Sequence, residues 1–268
     1  MITSLTNSRL KHIRELNEKR KTRNKEGLFI IEGVKMFLES PVKLIKEVYI
    51  SDTFDRELKE CDHSAPLSFS AMNKLNDYRS QGGLFDVVDD EVFRKCSDTE
   101  TPQGIMCVVA KPHYELKDIL GGNILILENL QDPGNLGTMV RTGEGAGISG
   151  ILLNSGCVDI FNPKTVRSTM GSIFRVPFVY TGELKEAVDI LKENDVRVYA
   201  AHLKGQNNYD EIEYGPRSAF MIGNEGNGLT DEAAEMADEY LKIPMGGKLE
   251  SLNAAMAAGI LMYHARLK

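Results

Sequence analysis

No stretch of this chain is apolar for long enough to cross a bilayer. The longest apolar run, from about 254 to 263, falls well short of the roughly 20 residues a membrane-spanning helix needs, so no membrane protein is expected. Cysteine is sparse. Cys61, Cys96, Cys107 and Cys157 stand far apart with no C-x-x-C pair, which argues against a disulfide framework or a zinc site and fits a reducing cytoplasm. Met1-Ile2-Thr3 leads into polar and basic residues rather than an apolar central region, and no secretory signal is expected. G-x-x-x-x-G-K-[ST] is missing, which removes P-loop hydrolysis, and G-x-S-x-G is missing, which removes the nucleophile elbow. The histidines at 12, 63, 113, 202 and 264 are dispersed without an H-E-x-x-H pattern, so no metal site is expected.

What remains is a chain of 268 residues, 42% hydrophobic and 26% charged, which is the composition of a soluble globular protein long enough for two domains. The net charge of −7 argues, taken alone, against a nucleic-acid partner. Its distribution argues the other way. Residues 1–25 hold eight basic groups against Glu15 and Glu18, a local surplus of six, and the rest of the chain stands at −13. Such a leader can bind phosphates, with Lys19, Arg20, Lys21 and Arg23 its densest run; a solvated helix face is the alternative reading of the same charges.

Residues 4–25 read as a helix with a thin apolar stripe of Leu10, Ile13 and Leu16. Short strands at 28–31, 48–50 and 104–109 then alternate with helical stretches at 35–40 and 56–61, a small α/β unit spanning 1–110. Residues 111–122, with Pro112 and the pair Gly121-Gly122, are expected to link it to a second unit over 123–268. There, apolar strands at 124–128, 150–153, 176–180, 196–200, 219–223 and 241–245 alternate with helices, the clearest at 183–194 and the last at 251–267. Near-continuous apolar strands separated by helices imply a parallel sheet covered on both faces. Gly143-Glu144-Gly145-Ala146-Gly147 resembles a dinucleotide fingerprint only superficially. It ends a helix and precedes a strand, so it is read as a C-cap and turn.

Three segments share one design, a strand followed by a Gly/Asn-rich loop and a helix. The first runs through Asp132-Pro133-Gly134-Asn135 to Arg141, the second through Ile222-Gly223-Asn224-Glu225-Gly226-Asn227-Gly228-Leu229, the third through Ile243-Pro244-Met245 to Ser251-Leu252-Asn253. Loops at the C-terminal ends of parallel strands line one edge of the sheet, where ligands collect. Gly223, Gly226, Gly228, Gly246 and Gly247 are read as positions that allow positive φ or bare-backbone approach. Ile222, Ile243, Met245 and Leu252 could wall an apolar slot. Each loop also carries a polar residue not read as a cap, Asn135, Glu225 and Asn253, whereas Ser251 reads equally well as the N-cap of the last helix.

These three segments resemble, in order and spacing, the signature motifs of the SpoU (TrmH-type) family of RNA ribose 2′-O-methyltransferases, within the SPOUT superfamily. Residues 162–174 and the pieces at 26–33 and 101–105 resemble further parts of the family, the latter two its accessory substrate-binding domain. The resemblance implies an α/β catalytic domain with a trefoil knot, a homodimer through the knot region, and S-adenosylmethionine as cofactor. It implies cofactor contacts at Gly223, Ile243 and Leu252 with Met245 beside them, to which the apolar slot adds Ile222, a reaction centre at Asn135, Arg141, Glu225, Ser251 and Asn253, and RNA contacts that add Arg167 and Lys164 to the leader. The expected substrate is ribosomal RNA. Transfer RNA, a non-catalytic RNA-binding factor and a small-molecule methyltransferase are the rival readings.

Overall fold

The computed structural model describes residues 1–266; Leu267, which the sequence places in the last helix, lies outside the described residues. The chain divides into two compact units, 1–112 with 161–174, and 113–160 with 175–266.

In the first unit the basic leader forms two helices, α1 (Ser8–Glu18) and α2 (Arg20–Glu26), separated by Lys19 in an extended conformation. Asn7 accepts the Arg9 N–H and starts α1; Gly27, left-handed, ends α2. Strand β1 (Leu28–Glu32), helix α3 (Val34–Glu39), strand β2 (Ile45–Ser51) and helix α4 (Asp52–Glu60) follow. Helix α5 (Pro66–Ser80), strand β3 (Phe85–Val88), helix α6 (Asp90–Cys96) and strand β4 (Ile105–Ala110) complete the element order of residues 1–112. The sheet is mixed, in the order β1-β4-β2-β3, with β4 antiparallel to both neighbours and β2 parallel to β3. The stripe Leu10, Ile13 and Leu16 is buried in one core with Tyr49, Phe93 and Val108, which is why so thin a stripe still docks its helix.

The second unit is built on seven parallel strands. In chain order these are β5 (Ile124–Leu127), β6 (Gly150–Asn154), β7 (Phe178–Thr181), β8 (Arg197–Ala201), the two-residue β9 (Asn207–Asn208), β10 (Ser218–Ile222) and β11 (Glu239–Lys242). The spatial order is β7-β6-β5-β10-β8-β11-β9. Its helices are α7 (Pro133–Ala146), α9 (Leu184–Glu193), α10 (Asp231–Ala234) and α11 (Ala254–Arg266), while α8 (Pro163–Thr169) belongs to the first unit and packs on β1 there. Strands β5 and β10 are buried throughout, as expected of central strands covered on both faces. The Gly143–Gly147 run does close a helix. Gly147 is left-handed at φ +73°, and Ile148 donates to the Gly143 carbonyl at 3.0 Å. Among the described residues no helix is long and apolar enough to cross a membrane.

Candidate active site at the β5–β10 switch

The topology explains why two of the three loops meet. The chain lays β5, β6 and β7 outward in one direction, then crosses to β8 and returns β10 into the gap beside β5, pairing Ile222 with Leu127. A crevice at the carboxyl ends of strands opens where the strand order reverses in this way. In the loop after β5, Asp132 accepts the Asn135 N–H at 2.7 Å and caps α7, with Pro133 at the first position, where its missing N–H costs nothing. In the loop after β10, a Cβ on Gly223 would overlap the backbone of Gly228 and Leu229, so only glycine fits. The broader expectation for the five glycines is corrected here. Of them only Gly228 has positive φ, at +72°.

Asn135, Glu225 and Asn253 converge. Asn253 Nδ2 donates to Asn135 Oδ1 at 3.0 Å, and Asn135 Nδ2 donates to Glu225 Oε1 at 3.1 Å. The Glu225 carboxylate also accepts the backbone N–H groups of Asp132 at 2.9 Å and Gln131 at 3.1 Å. Burial pushes this carboxyl up, but the Asn135, Asp132 and Gln131 donors outweigh it and hold Glu225 below the usual carboxylate range. A carboxylate so engaged is a weak base and a firm anchor.

Asn253 also takes the role the sequence offered to Ser251. Its Oδ1 accepts the N–H groups of Ala255 and Met256 at 2.9 and 3.3 Å, which makes it the cap of α11. Ser251 is exposed and lines a cavity of about 270 Å³ instead. Ile222, Gly223, Ile243, Met245 and Leu252 all line that cavity, as does Glu225; Asn135, Arg141 and Asn253 do not.

Arg141 stands apart from the cluster. It lies six residues beyond Asn135 on α7, about a third of a turn away around the axis. Its side chain is exposed and makes no hydrogen bond or ion pair among the described residues. Glu225 therefore does not pair with it; the carboxylate positions the Asn135 loop, the other role the sequence allowed.

In the first unit the basic leader is less free than its composition suggests. Lys19 pairs with Glu15 at 3.0 Å, Arg9 with Asp86, and His12 meets Glu26 at 2.5 Å. Arg20 and Lys21 are exposed. Arg23 corrects the expectation of an RNA contact. It is 3% exposed, and its Nη1 donates to the Leu16 and Asn17 carbonyls at 2.6 and 2.9 Å, satisfying the end of α1 from inside the fold. Arg167, on α8, is half-buried and paired with Asp98; Lys164 is exposed on the same helix.

Sequence reasoning missed Asn129, Gln131 and Asn224. Asn224 Oδ1 accepts the N–H groups of Gly226 and Asn227 at 2.9 and 3.1 Å, an Asx turn that the spacing Asn-Glu-Gly could have signalled.

The SpoU rRNA Methylase family model matches residues 122–263, and a model of the MRM3-like substrate binding domain matches residues 7–107. The 23S rRNA (guanosine(2553)-2'-O)-methyltransferase RlmP of Bacillus subtilis (strain 168) is 35% identical, over 99% of this chain and 98% of its own length. The mitochondrial rRNA methyltransferase 3 of Mus musculus is 28% identical over 96% of this chain and 72% of its own. A crystal structure of the AdoMet-bound rRNA methyltransferase from Sinorhizobium meliloti matches with a TM-score of 0.83 and 32% identity, covering 99% of this chain and 97% of that one. A likeness that runs from end to end, and a family model that takes in all three loops, make this chain a member of the SpoU rRNA methylase family.

Proposed function

We propose that this protein transfers a methyl group from S-adenosylmethionine to a ribose 2′-hydroxyl of ribosomal RNA. The observation that carries this reading is the hydrogen-bonded chain Asn253–Asn135–Glu225, which ties the loop after β5 to the other two and whose last member also lines the cavity between the loops after β10 and β11. At about 270 Å³ the cavity falls just under the 300–1,000 Å³ common for small-molecule sites. Its mix of apolar side chains and bare glycine backbone suits an adenine and a ribose. The cofactor, held against Ile222, Gly223, Ile243, Met245 and Leu252, supplies an electrophilic methyl group when bound.

The chain's own residues orient the nucleophile. Asn135 keeps one amide N–H and one lone pair uncommitted after bonding Glu225 and Asn253, enough to fix a ribose hydroxyl. Arg141, exposed and unpaired among the described residues, clamps the neighbouring phosphate and stabilises developing charge on the 2′-oxygen. A guanidinium does not deprotonate in proteins, and Glu225 is a weakened base, so the departing proton goes to the phosphate or to water. Lys19, Arg20, Lys21, Lys164 and Arg167 are the RNA-facing cations of the first unit; Arg23 is not among them. The return of α11 from β11 to pack on α7 and β10 supports a threaded, knotted C-terminus, and the exposed apolar side chains on α11 support a homodimer.

The test is incubation of the chain with methyl-tritiated S-adenosylmethionine and total RNA from cells lacking it. Label is expected in ribosomal RNA, recovered as alkali-resistant 2′-O-methyl dinucleotide. Asn135→Ala is expected to abolish labelling while calorimetry still shows cofactor binding. Label confined to transfer RNA would move the substrate, and no label in any RNA would end the enzyme reading.

A further inference from the structure

Asn129 stands two residues past β5, just beyond Glu128, and has no part in the proposed chemistry. It has a left-handed backbone, φ +54°, a conformation that costs most residues about 1 kcal/mol and asparagine less. The strain sits in a dense web. The Asn129 N–H donates to Asn154 Oδ1 at 2.9 Å, and Asn154 Nδ2 donates back to Asn129 Oδ1 at 3.0 Å, anchoring the residue to the end of β6. The Asn129 carbonyl accepts Gln131 Nε2 at 3.1 Å and, from the loop after β10, Asn224 Nδ2 at 3.0 Å.

On either side of this turn the same two loops are stitched again. Before it, the Glu128 N–H donates to the Ile222 carbonyl at 3.0 Å. The Glu128 carboxylate, 5% exposed, accepts the Thr230 N–H and hydroxyl at 2.9 and 2.7 Å. After it, Gln131 and Asp132 give their N–H groups to Glu225. A strand continuing in extended geometry would turn alternate backbone groups away from β10. The left-handed step breaks that alternation, so residues 128, 129, 131 and 132 all address the loop that carries Glu225.

We infer that Asn129 is a positioning residue for methyl transfer. Its left-handed turn and its carbonyl set the register between the Asn135 and Glu225 loops, through Asn224. This inference rests on the proposed methyltransferase function, and it has a readout that does not.

The test uses the full chain with Asn129→Gly, Asn129→Val and Asn224→Ala. Glycine keeps the left-handed turn and valine resists it. With methyl-tritiated S-adenosylmethionine and unmodified ribosomal RNA, Asn129→Val is expected to lower kcat at least tenfold with less than a threefold change in cofactor Kd. Asn129→Gly should recover most of that turnover. Should the valine variant fail to fold, Asn224→Ala, which removes the Nδ2 donor to Asn129 together with the Oδ1 acceptor of Gly226 and Asn227 and leaves the left-handed turn at Asn129, is expected to show the same kcat loss. Independently of RNA, NMR titration of the Glu225 carboxyl should give a depressed pKa in the parent and in Asn129→Gly, moved upward in Asn129→Val and Asn224→Ala. Equal impairment by glycine and valine, or an unmoved Glu225 titration, would overturn the inference. A parent that methylates no RNA but shows the expected titration pattern would sink the enzyme reading and leave the positioning intact.

Discussion

Glu225 is exposed at the lip of the cavity, yet its carboxylate holds three donors, from Asn135, Asp132 and Gln131. Because those donors favour its charged form, its folded pKa is depressed, and the stability it contributes is present above the unfolded carboxylate pKa of about 4.3. That contribution is lost as pH falls through the folded value. Glu225→Gln removes it. The variant should therefore melt below the parent at pH 7, and the difference should close as both are titrated downward from about pH 5. Melting curves at pH 7, 5 and 3 check this, and a constant difference at all three would mean that Glu225 acts through packing rather than charge. At this scale much was legible from sequence. Asn135, Glu225 and Asn253 stand out because a Gly-rich loop after a parallel strand has few reasons to carry such side chains. Arg23 was misread for the opposite reason. Charge runs look alike whether a side chain faces water or folds back on its own helix, and its bonds to Leu16 and Asn17 depend on the break at Lys19, which composition does not mark.

Most elements of the second unit were legible because their period is unambiguous: five of its seven strands are apolar runs closed by polar or glycine turns. One exception is β11, expected at 241–245 but running Glu239–Lys242 with a charged residue at each end; the other, β9, is two polar residues with no pattern of their own, paired because β11 offers an edge. In the first unit α5 escaped because its apolar positions, Ala71, Leu75 and Tyr78, are diluted by polar residues on every face. The start of α11 shows how an element and the site share one residue. Asn253 caps the helix through Oδ1 and holds Asn135 through Nδ2. Asn253→Asp separates the two. An aspartate accepts the same helix N–H groups but has no donor for Asn135, and it sets a negative charge against Asn135 Oδ1. The variant should keep its melting temperature within a degree or two and lose most of its turnover. Asn253→Ala should lose both, with about 1 kcal/mol of stability gone with the cap. An aspartate variant that retained parental kcat would remove the Asn253–Asn135 bond from the catalytic account.

For the whole molecule, charge and association are what composition described least well. The surplus of six over residues 1–25 overstates the free positive charge, since Arg9, Lys19, Arg20 and the buried Arg23 already have partners within the fold. Replacing Arg20 and Lys21 with Gln should weaken RNA binding and reduce the slope of log K against log salt by about 1.5, at roughly 0.7 to 0.9 per neutralised phosphate. The proposed association is tested at α11. Ala255, Ala258, Leu261 and Met262 are buried, while Met256 and Tyr263 are 60% and 42% exposed. The two exposed side chains are seven residues apart, about two turns, and so share one stripe. Scattered exposed apolar residues need no explanation, but two on one stripe of a helix that bears on the site do. A second copy is the occupant that fits, because a two-fold axis beside α11 would cover the stripe with its own equivalent. Sedimentation of the parent should give a dimer, and Met256→Glu combined with Tyr263→Glu should give a folded monomer with an unchanged circular dichroism spectrum. Because Arg141 lies on α7, which packs against α11, the monomer should also lose methyl transfer more than cofactor affinity. A monomeric parent, or a glutamate pair that left the dimer whole, would place the association elsewhere and leave the exposed stripe without a role.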